Sequence, residues 1–309
     1  MRVQLCSILL NEEEWLERHY AQHKNWPGLI NWTFVEGADV NYGAANPGMT
    51  TPDGLSVDRT SSLLHRIAST DPRVSVIQHG WMRHSLPDQS KCEGRNRYLD
   101  NASNFKPDIL ITTDIDEFYT REDQQRINDI CASRIYYGSE GASTQWDSWM
   151  FRQRHIWHPP GLNEYDMAGE TTNPLFSQEV VGGYWQVPHT RVWRYIPGMR
   201  HVRNHNWPEV NGRYLTEKML RCDLMPEGFG MNRIPECVHL GYASSSRSRK
   251  AKHAYYKARG EGQEGGRLGR KRSMYLDCRD AYEKWVPGAS LPHGASVIEY
   301  NGPIPEVFQ

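Results

Sequence analysis

"ILITTDIDEFYT", residues 109–120, is the stretch whose reading decides the fold. An aliphatic and β-branched run ends in two aspartates and a glutamate at 114, 116 and 117. The run reads as a buried strand, and its carboxyl end carries charges that repel one another and resist burial. On a strand, residues two apart face the same way, so Asp114 and Asp116 are expected to project together with Ile115 turned into the core. A divalent cation between or beside the carboxylates would relieve their repulsion. Hard oxygen ligands suit Mg²⁺ or Mn²⁺, and the oxygens of a nucleotide diphosphate would complete such a shell.

Working outward, "VQLCSILL" (3–10), "INWTFVEGA" (30–38) and "RVSVIQHG" (73–80) read as further strands, the second stopping at Gly37. Between them, "NEEEWLERHYAQHKN" places Trp15, Leu16, His19, Tyr20 and His23 at helical spacing, and "WPG" ends that helix. "SVDRTSSLLHRIAST" and "CEGRNRYLDNASN" (92–104) are two more helices. Four strand–helix alternations in about 130 residues predict an open, mostly parallel α/β sheet flanked by helices, a Rossmann-like half. Ligands bind such sheets beyond the carboxyl ends of the strands, where the two aspartates lie.

Past the helix "REDQQRINDICASRI" the pattern changes. "GASTQWDSWMF" (141–151) predicts a strand, and 155–189 reads as a long irregular loop of the functional kind. "HTRVWRYI" and "MRHVRNHNW" suggest a hairpin about Pro197-Gly198, and "ECVHLGYASS" a short strand. The expected organisation is one domain, with a nucleotide-binding half (1–130), an acceptor half (131–242), and a segment (243–309) of basic helix, Gly-rich loop and extended tail.

The totals agree with a globular chain. There are 309 residues, 38% hydrophobic and 24% charged, with net charge −1, which excludes a polyanion binder acting through overall charge. The six cysteines stand far apart without a CxxC pair, arguing against a zinc site or a disulfide framework and for a reducing, cytoplasmic setting. No signal peptide and no stretch of transmembrane length is read. Eleven Trp and 16 Tyr exceed the needs of a core this size, and sugar or base stacking is one use for the surplus.

Charge is nevertheless uneven. From Ser244 to Arg272 there are ten Lys or Arg against Glu261 and Glu264. The 247–272 run reads as a solvated helix, a diphosphate clamp, or a polyanion-binding surface with Tyr255 and Tyr256 for stacking. The last option carries an alternative function, a nucleic-acid-binding module. A second alternative is a Mg-dependent phosphotransferase or phosphatase of the D-x-D type, with Asp114 as nucleophile. Such enzymes have Thr or Val where this chain has Phe118, and open on the motif strand rather than reaching it fourth.

Three blocks together resemble the GT-A-fold glycosyltransferases, nearest to the family-2-like and family-92-like groups. "LCSILLNEEEWLERHYAQH" is similar to their opening strand and helix, "ILITTDIDEF" to their D-x-D-E-F block, and "VHLGYASSSRSRKAKHAYYKARG" to their late block. The chain departs from the pattern at Glu36-Gly37, where many relatives have Asp, and at Leu240-Gly241-Tyr242, where His-Tyr would be contiguous. The resemblance implies a UDP- or GDP-linked sugar donor, a hydroxyl acceptor (a glycan, or modified nucleic acid), and Mn²⁺ or Mg²⁺. Asn11, Glu12 and Glu36 would line the nucleoside, with Lys91 and Arg95 reaching base or diphosphate. Asp114 would touch ribose or metal, Asp116 would ligate the metal, and His239 would be a third ligand or a diphosphate contact. Ser246, Arg247 and Lys252 would hold the diphosphate. For the acceptor side, Asp147 is the candidate general base, with Glu209 and Glu179 as competitors. Trp146 and Trp149 flank Asp147 and are placed to stack on a sugar. His201 and His205 lie in an Arg- and Trp-rich patch that an acceptor would meet.

Overall fold

The computed structural model describes residues 1–83, 89, 91–132, 146–157, 178–181, 190–222, 234–242, 251–252, 254–255, 296–298, 302 and 304–309. In chain order the elements begin β1 (Val3–Leu9), α1 (Leu16–His23), β2 (Leu29–Asp39), α2 (Val40–Ala45), α3 (Thr60–Thr70), β3 (Val74–Met82), α4 (Cys92–Phe105) and β4 (Ile109–Thr112). They continue with β5 (Glu117–Phe118), α5 (Arg121–Ala132), β6 (Ser148–Met150), β7 (Arg152–Trp157), β8 (Gln178–Val181) and β9 (Thr190–Arg194). Last come β10 (Glu209–Val210), β11 (Arg213–Tyr214), β12 (Met219–Arg221), β13 (Glu236–Tyr242) and β14 (Ser296–Ile298).

The central sheet has seven strands in the order β12-β6-β9-β4-β1-β2-β3. The pairs β1/β2, β1/β4, β2/β3 and β12/β6 are parallel, and β9 alone runs the other way, antiparallel to β4 and β6. The expected open, mostly parallel α/β sheet flanked by helices is therefore present. A second sheet, β14-β8-β7-β13-β5, carries the acidic turn at its edge strand β5.

The alternation read from residues 1–130 works because β1, β2 and β4 are buried on both faces and so appear as largely apolar runs, whereas the edge strand β3 is largely half-buried. Val3, Leu5, Trp32 and Phe34 are fully buried, and the Trp32 and Phe34 rings, two residues apart on one face, stack at 4.7 Å. On α1, Leu16, His19 and His23 are buried at the expected spacing. β2 does not stop at Gly37 but continues to Asp39. Gly37 permits this passage because β3 crowds it there: a Cβ at 37 would lie 2.3 Å from the Gly80 carbonyl oxygen.

Three expectations need correction. β4 ends at Thr112, so the acids occupy a turn rather than a strand, closed by Glu117 N–H donating to the Asp114 carbonyl at 3.0 Å. Strand alternation therefore does not govern where the two aspartates point, although Ile115 is buried as expected. Residues 190–207 form no hairpin either. β9 inserts between β4 and β6, and Arg200 bridges to Glu209 instead. Finally, the segment expected to be an irregular loop at 155–189 contains the end of β7 and all of β8; its remaining residues lie outside the described ones.

Candidate functional site

The acidic turn 114–117 is positioned from two directions. β4 delivers it at the carboxyl end of the parallel sheet, and β5 pairs antiparallel with β13, setting His239 opposite Glu117. A hydrogen bond from Leu240 N–H to the Asp116 carbonyl, 2.7 Å, fixes that edge. His239 Nε2 thereby stands 3.5 Å from Asp116 Oδ2. Gly241 follows for a steric reason: a Cβ there would sit 2.5 Å from His239 Cε1 and 3.0 Å from Asp116 Oδ2.

Cations answer the acids. Arg191, at the start of β9, bridges Asp114 (2.7 Å) and the fully buried Glu117, and Gln153 donates a further hydrogen bond to Glu117 at 2.8 Å. Lys252 Nζ lies 3.5 Å from Asp116 Oδ2. The segment bearing Lys252 is tied down by Tyr255, whose hydroxyl donates to Asp39 at 3.1 Å, and by Asn46, which donates to the Ala251 carbonyl at 3.0 Å. From the start of α4 come Lys91, with a left-handed φ of 76°, and the buried Arg95. Arg95 bonds the Tyr98 hydroxyl, and its Nε has no hydrogen-bond partner among the described residues.

The titration directions follow from this mixture. Burial raises Asp114, but Arg191 and then Arg95 outweigh it and hold the carboxyl well below its usual range. Asp116 is likewise lowered, with Lys252 and His239 together outweighing burial. Burial pushes Glu117 up to about 7 despite Arg191. Glu12 is raised well above an ordinary glutamate by burial and then by Asp116. Burial drives His239 down to about 4, leaving a neutral imidazole at neutral pH. Burial also lowers Lys91, against the pull of Asp114. Four carboxylates thus meet four cations, so like-charge repulsion does not by itself demand a divalent ion.

The donor set fits an ion in part. Among the described residues no group of three or more His, Cys, Asp or Glu side chains is placed to hold a metal. The expected three-ligand set is corrected, because Asp114 is turned onto Arg191. Asp116 and His239 remain as a pair whose 3.5 Å donor separation matches two ligands about 2.1 Å from one ion.

Other expected residues divide sharply. Asn11, in left-handed conformation at φ 55°, donates to the Met49 carbonyl and accepts from Val57 N–H. Glu36 is fully buried and accepts from Ser56 N–H at 3.1 Å and from the Ser61 hydroxyl. Both side chains are taken up in holding the 49–61 loop, whereas Glu12 faces Asp116. Asp147 is corrected as a base: it is fully buried, with Arg194 on one oxygen (3.0 Å) and Arg213 on the other (2.7 Å). It also lies at the wrong end of the sheet, since Arg194 pairs with Ile109, the first residue of β4. Trp149 is buried in the core and offers no face to a sugar, and Trp146 is half-buried, packed against that core. His201 is buried, pressed well below its usual range by burial, and in contact with Tyr98. Glu209 is buried with Oε2 on Arg203 at 2.8 Å. His205 is half-buried beside it in sequence. Ser246, Arg247, Tyr256 and the side chain of Glu179 lie outside the described residues, as does most of the 247–272 run.

Sequence reasoning missed Arg191, Asp39 and Gln153. Arg191 stands 77 positions from Asp114 in a strand with no motif around it, and only the insertion of β9 beside β4 brings it there.

No protein-family profile matches the chain, and no curated protein sequence matches it. Among solved structures it is similar to mannosyltransferase PcManGT from Pyrobaculum calidifontis in complex with GDP-Man and Mn²⁺, at 12% identity and TM-score 0.39, covering 92% of this chain and 72% of that one. It is also similar to S. aureus TarS 1–349, at 10% identity and TM-score 0.35, covering 91% and 72%. The same TarS fragment in complex with UDP-GlcNAc gives 10% identity and TM-score 0.38, covering 91% and 73%. Likenesses this distant carry no functional argument, which rests on the geometry above.

Proposed function

We propose that the protein is a glycosyltransferase of GT-A type, moving a sugar from a nucleotide-diphosphate donor to a hydroxyl acceptor with the help of a divalent cation. One observation carries this reading. At the carboxyl end of a parallel sheet, Asp116 and a neutral His239 stand at ligand spacing, ringed by Lys91, Arg95, Arg191 and Lys252. Asp116 and His239 would hold Mn²⁺ or Mg²⁺, which when bound contributes positive charge opposite a departing diphosphate. Lys91, Arg95 and Lys252 bind diphosphate oxygens by charge-assisted hydrogen bonds. Arg191 keeps Asp114 ionised and fixes the turn. Glu12 adds a carboxyl that burial and then Asp116 raise well above the ordinary glutamate range.

A phosphotransferase reading needs Asp114 as a free nucleophile, and Arg191 occupies one of its oxygens at 2.7 Å. The test is donor hydrolysis and transfer across a panel of UDP- and GDP-sugars, with Mn²⁺ added or EDTA present. Turnover with at least one donor, lost on chelation and in Asp116→Ala, is expected. Release of phosphate from phosphomonoesters without any nucleotide-sugar turnover would overturn the assignment.

A further inference from the structure

The segment 200–214 presents a surface that donor binding does not use. Trp207 is 44% exposed and Val202 is 54% exposed, the largest apolar side chains so exposed in the acceptor half among the described residues. A lone exposed aromatic is common, but this one is mounted. Tyr214 meets its ring edge-on at 6.0 Å, and the Arg203 guanidinium lies 4.3 Å over Tyr214. β10 and β11 are joined through Asn211 and Gly212, both at positive φ (51° and 76°), the tight two-residue hairpin loop that holds its strands rigidly. The segment is also clipped to α4. The Asn96 side chain donates to the His201 carbonyl and accepts from the His201 N–H, each at 2.9 Å. The first turn of the same helix carries Lys91 and Arg95, so the platform is fixed relative to the donor cations.

Its charges decide what it takes. The segment's only Lys or Arg residues are Arg200, Arg203 and Arg213, and each is paired: with Asp100 at 2.7 Å, with Glu209, and with Asp147 at 2.7 Å. A polyanion binds through cations free to neutralise phosphates, and here each is already answered. An exposed indole next to the amides of Asn204 and Asn206 suits instead a neutral ring with one C–H face and a rim of hydroxyls. We propose that Trp207, backed by Tyr214, is a stacking subsite for a pyranose ring of a neutral glycan chain. Its purpose, holding the acceptor, rests on the glycosyl-transfer reading; glycan binding itself requires neither donor nor metal.

The test titrates the full chain, without nucleotide or metal, with cellopentaose, chitopentaose, mannopentaose and maltopentaose. The Trp207 indole N–H resonance, assigned by its loss in Trp207→Phe, is the readout for the unaltered chain and Asp116→Ala, and titration calorimetry is the readout for the Trp207 variants. At least one oligosaccharide should shift it. Trp207→Ala should weaken that binding about tenfold or more, with Trp207→Phe retaining most of it. Asp116→Ala should bind the glycan as the unaltered protein does. No shift with any of the four sugars, equal binding by Trp207→Ala, or a shift only with oligothymidylate would overturn the subsite. Absence of donor hydrolysis by the unaltered protein would remove the transferase reading and leave the glycan result standing.

Discussion

β9 carries an ion cluster at each end, and the two are built on opposite plans. At one end Arg191 meets Asp114 and Glu117, with Asp116, His239 and Lys252 alongside at looser contacts of 3.5 Å. At the other, roughly 10 Å along the strand, Arg194 and Arg213 close on the two oxygens of Asp147, which is fully buried. The second cluster is complete: one carboxylate, two cations, and no oxygen left to offer. The first has Asp114 with 43% of its side chain exposed and an arginine Nε without a partner among the described residues. A buried carboxylate whose oxygens are all occupied serves the fold, because breaking a closed buried pair is strongly destabilising. An acid in a crowded, unequal set of charges has capacity left for a ligand.

The largest test of this contrast exchanges losses between the two ends. Asp116→Ala should lower donor turnover by about 100-fold or more, since metal charge stabilisation amounts to several kcal/mol, while its urea midpoint moves little. Asp147→Ala should do the reverse. Stability falls by about 3 kcal/mol, as expected when two partly buried arginines lose their partner, and turnover per folded molecule holds. If Asp147→Ala abolishes turnover at unchanged stability, the two clusters have been assigned the wrong way round.

Acid separates the ends differently. The 191 end is backed by His19 and His23, packed on Phe118 with ring centroids at 5.5 and 6.0 Å. His23 is neutral, its Nε2 accepting from Tyr119 N–H at 3.1 Å, and burial drives it down to about 3; His19 is lowered by burial too. Both pKa values are depressed relative to the unfolded chain. Between about pH 6.5 and the folded values the unfolded state binds more protons, so stability is full above 6.5 and drains as pH falls. The slope is about 1.4 kcal/mol per pH unit for each histidine. The fall in urea midpoint from pH 7.5 to 5 should be smaller in His23→Gln than in the unaltered chain, and identical profiles would show this histidine to be charged in the fold.

The smallest effect comes from exchanging arginine for lysine. Arg194→Lys should cost about 1 kcal/mol of stability, because a lysine ammonium is a point charge that cannot make two directed bonds to one carboxylate. Arg191→Lys should cost a similar amount, but also shift the KM for donor, because it releases Asp114. Equal kinetics in both variants would erase the distinction.

Much of this was legible in the chain, for reasons particular residues make plain. β1, β2 and β4 announce themselves because both their faces are buried, and α1 because Leu16, His19 and His23 recur at helical spacing. The nearness of Asp116 to His239 was legible because short blocks surround both residues. Arg191 was not, since what qualifies it is the place of β9 between β4 and β6, a pairing across some 80 positions that no local pattern encodes. Asp147 misled for the complementary reason. Its place one helix and one turn after the acidic strand made it look like the start of the acceptor side, yet the arginines that close it come from β9 and β11.

Gly241 turns the geometry of the acidic turn into a constraint on what the chain can become. The residue leaves no room for a side chain: one added methyl group would lie 2.5 Å from His239 Cε1 and 3.0 Å from Asp116 Oδ2. Gly241→Ala is therefore a wedge between the His239 ring and the Asp116 carboxylate that leaves every charge in place. It should weaken Mn²⁺ binding, followed by electron paramagnetic resonance, by about tenfold, the scale of losing a group that orients a ligand, and leave the urea midpoint within about 1 kcal/mol.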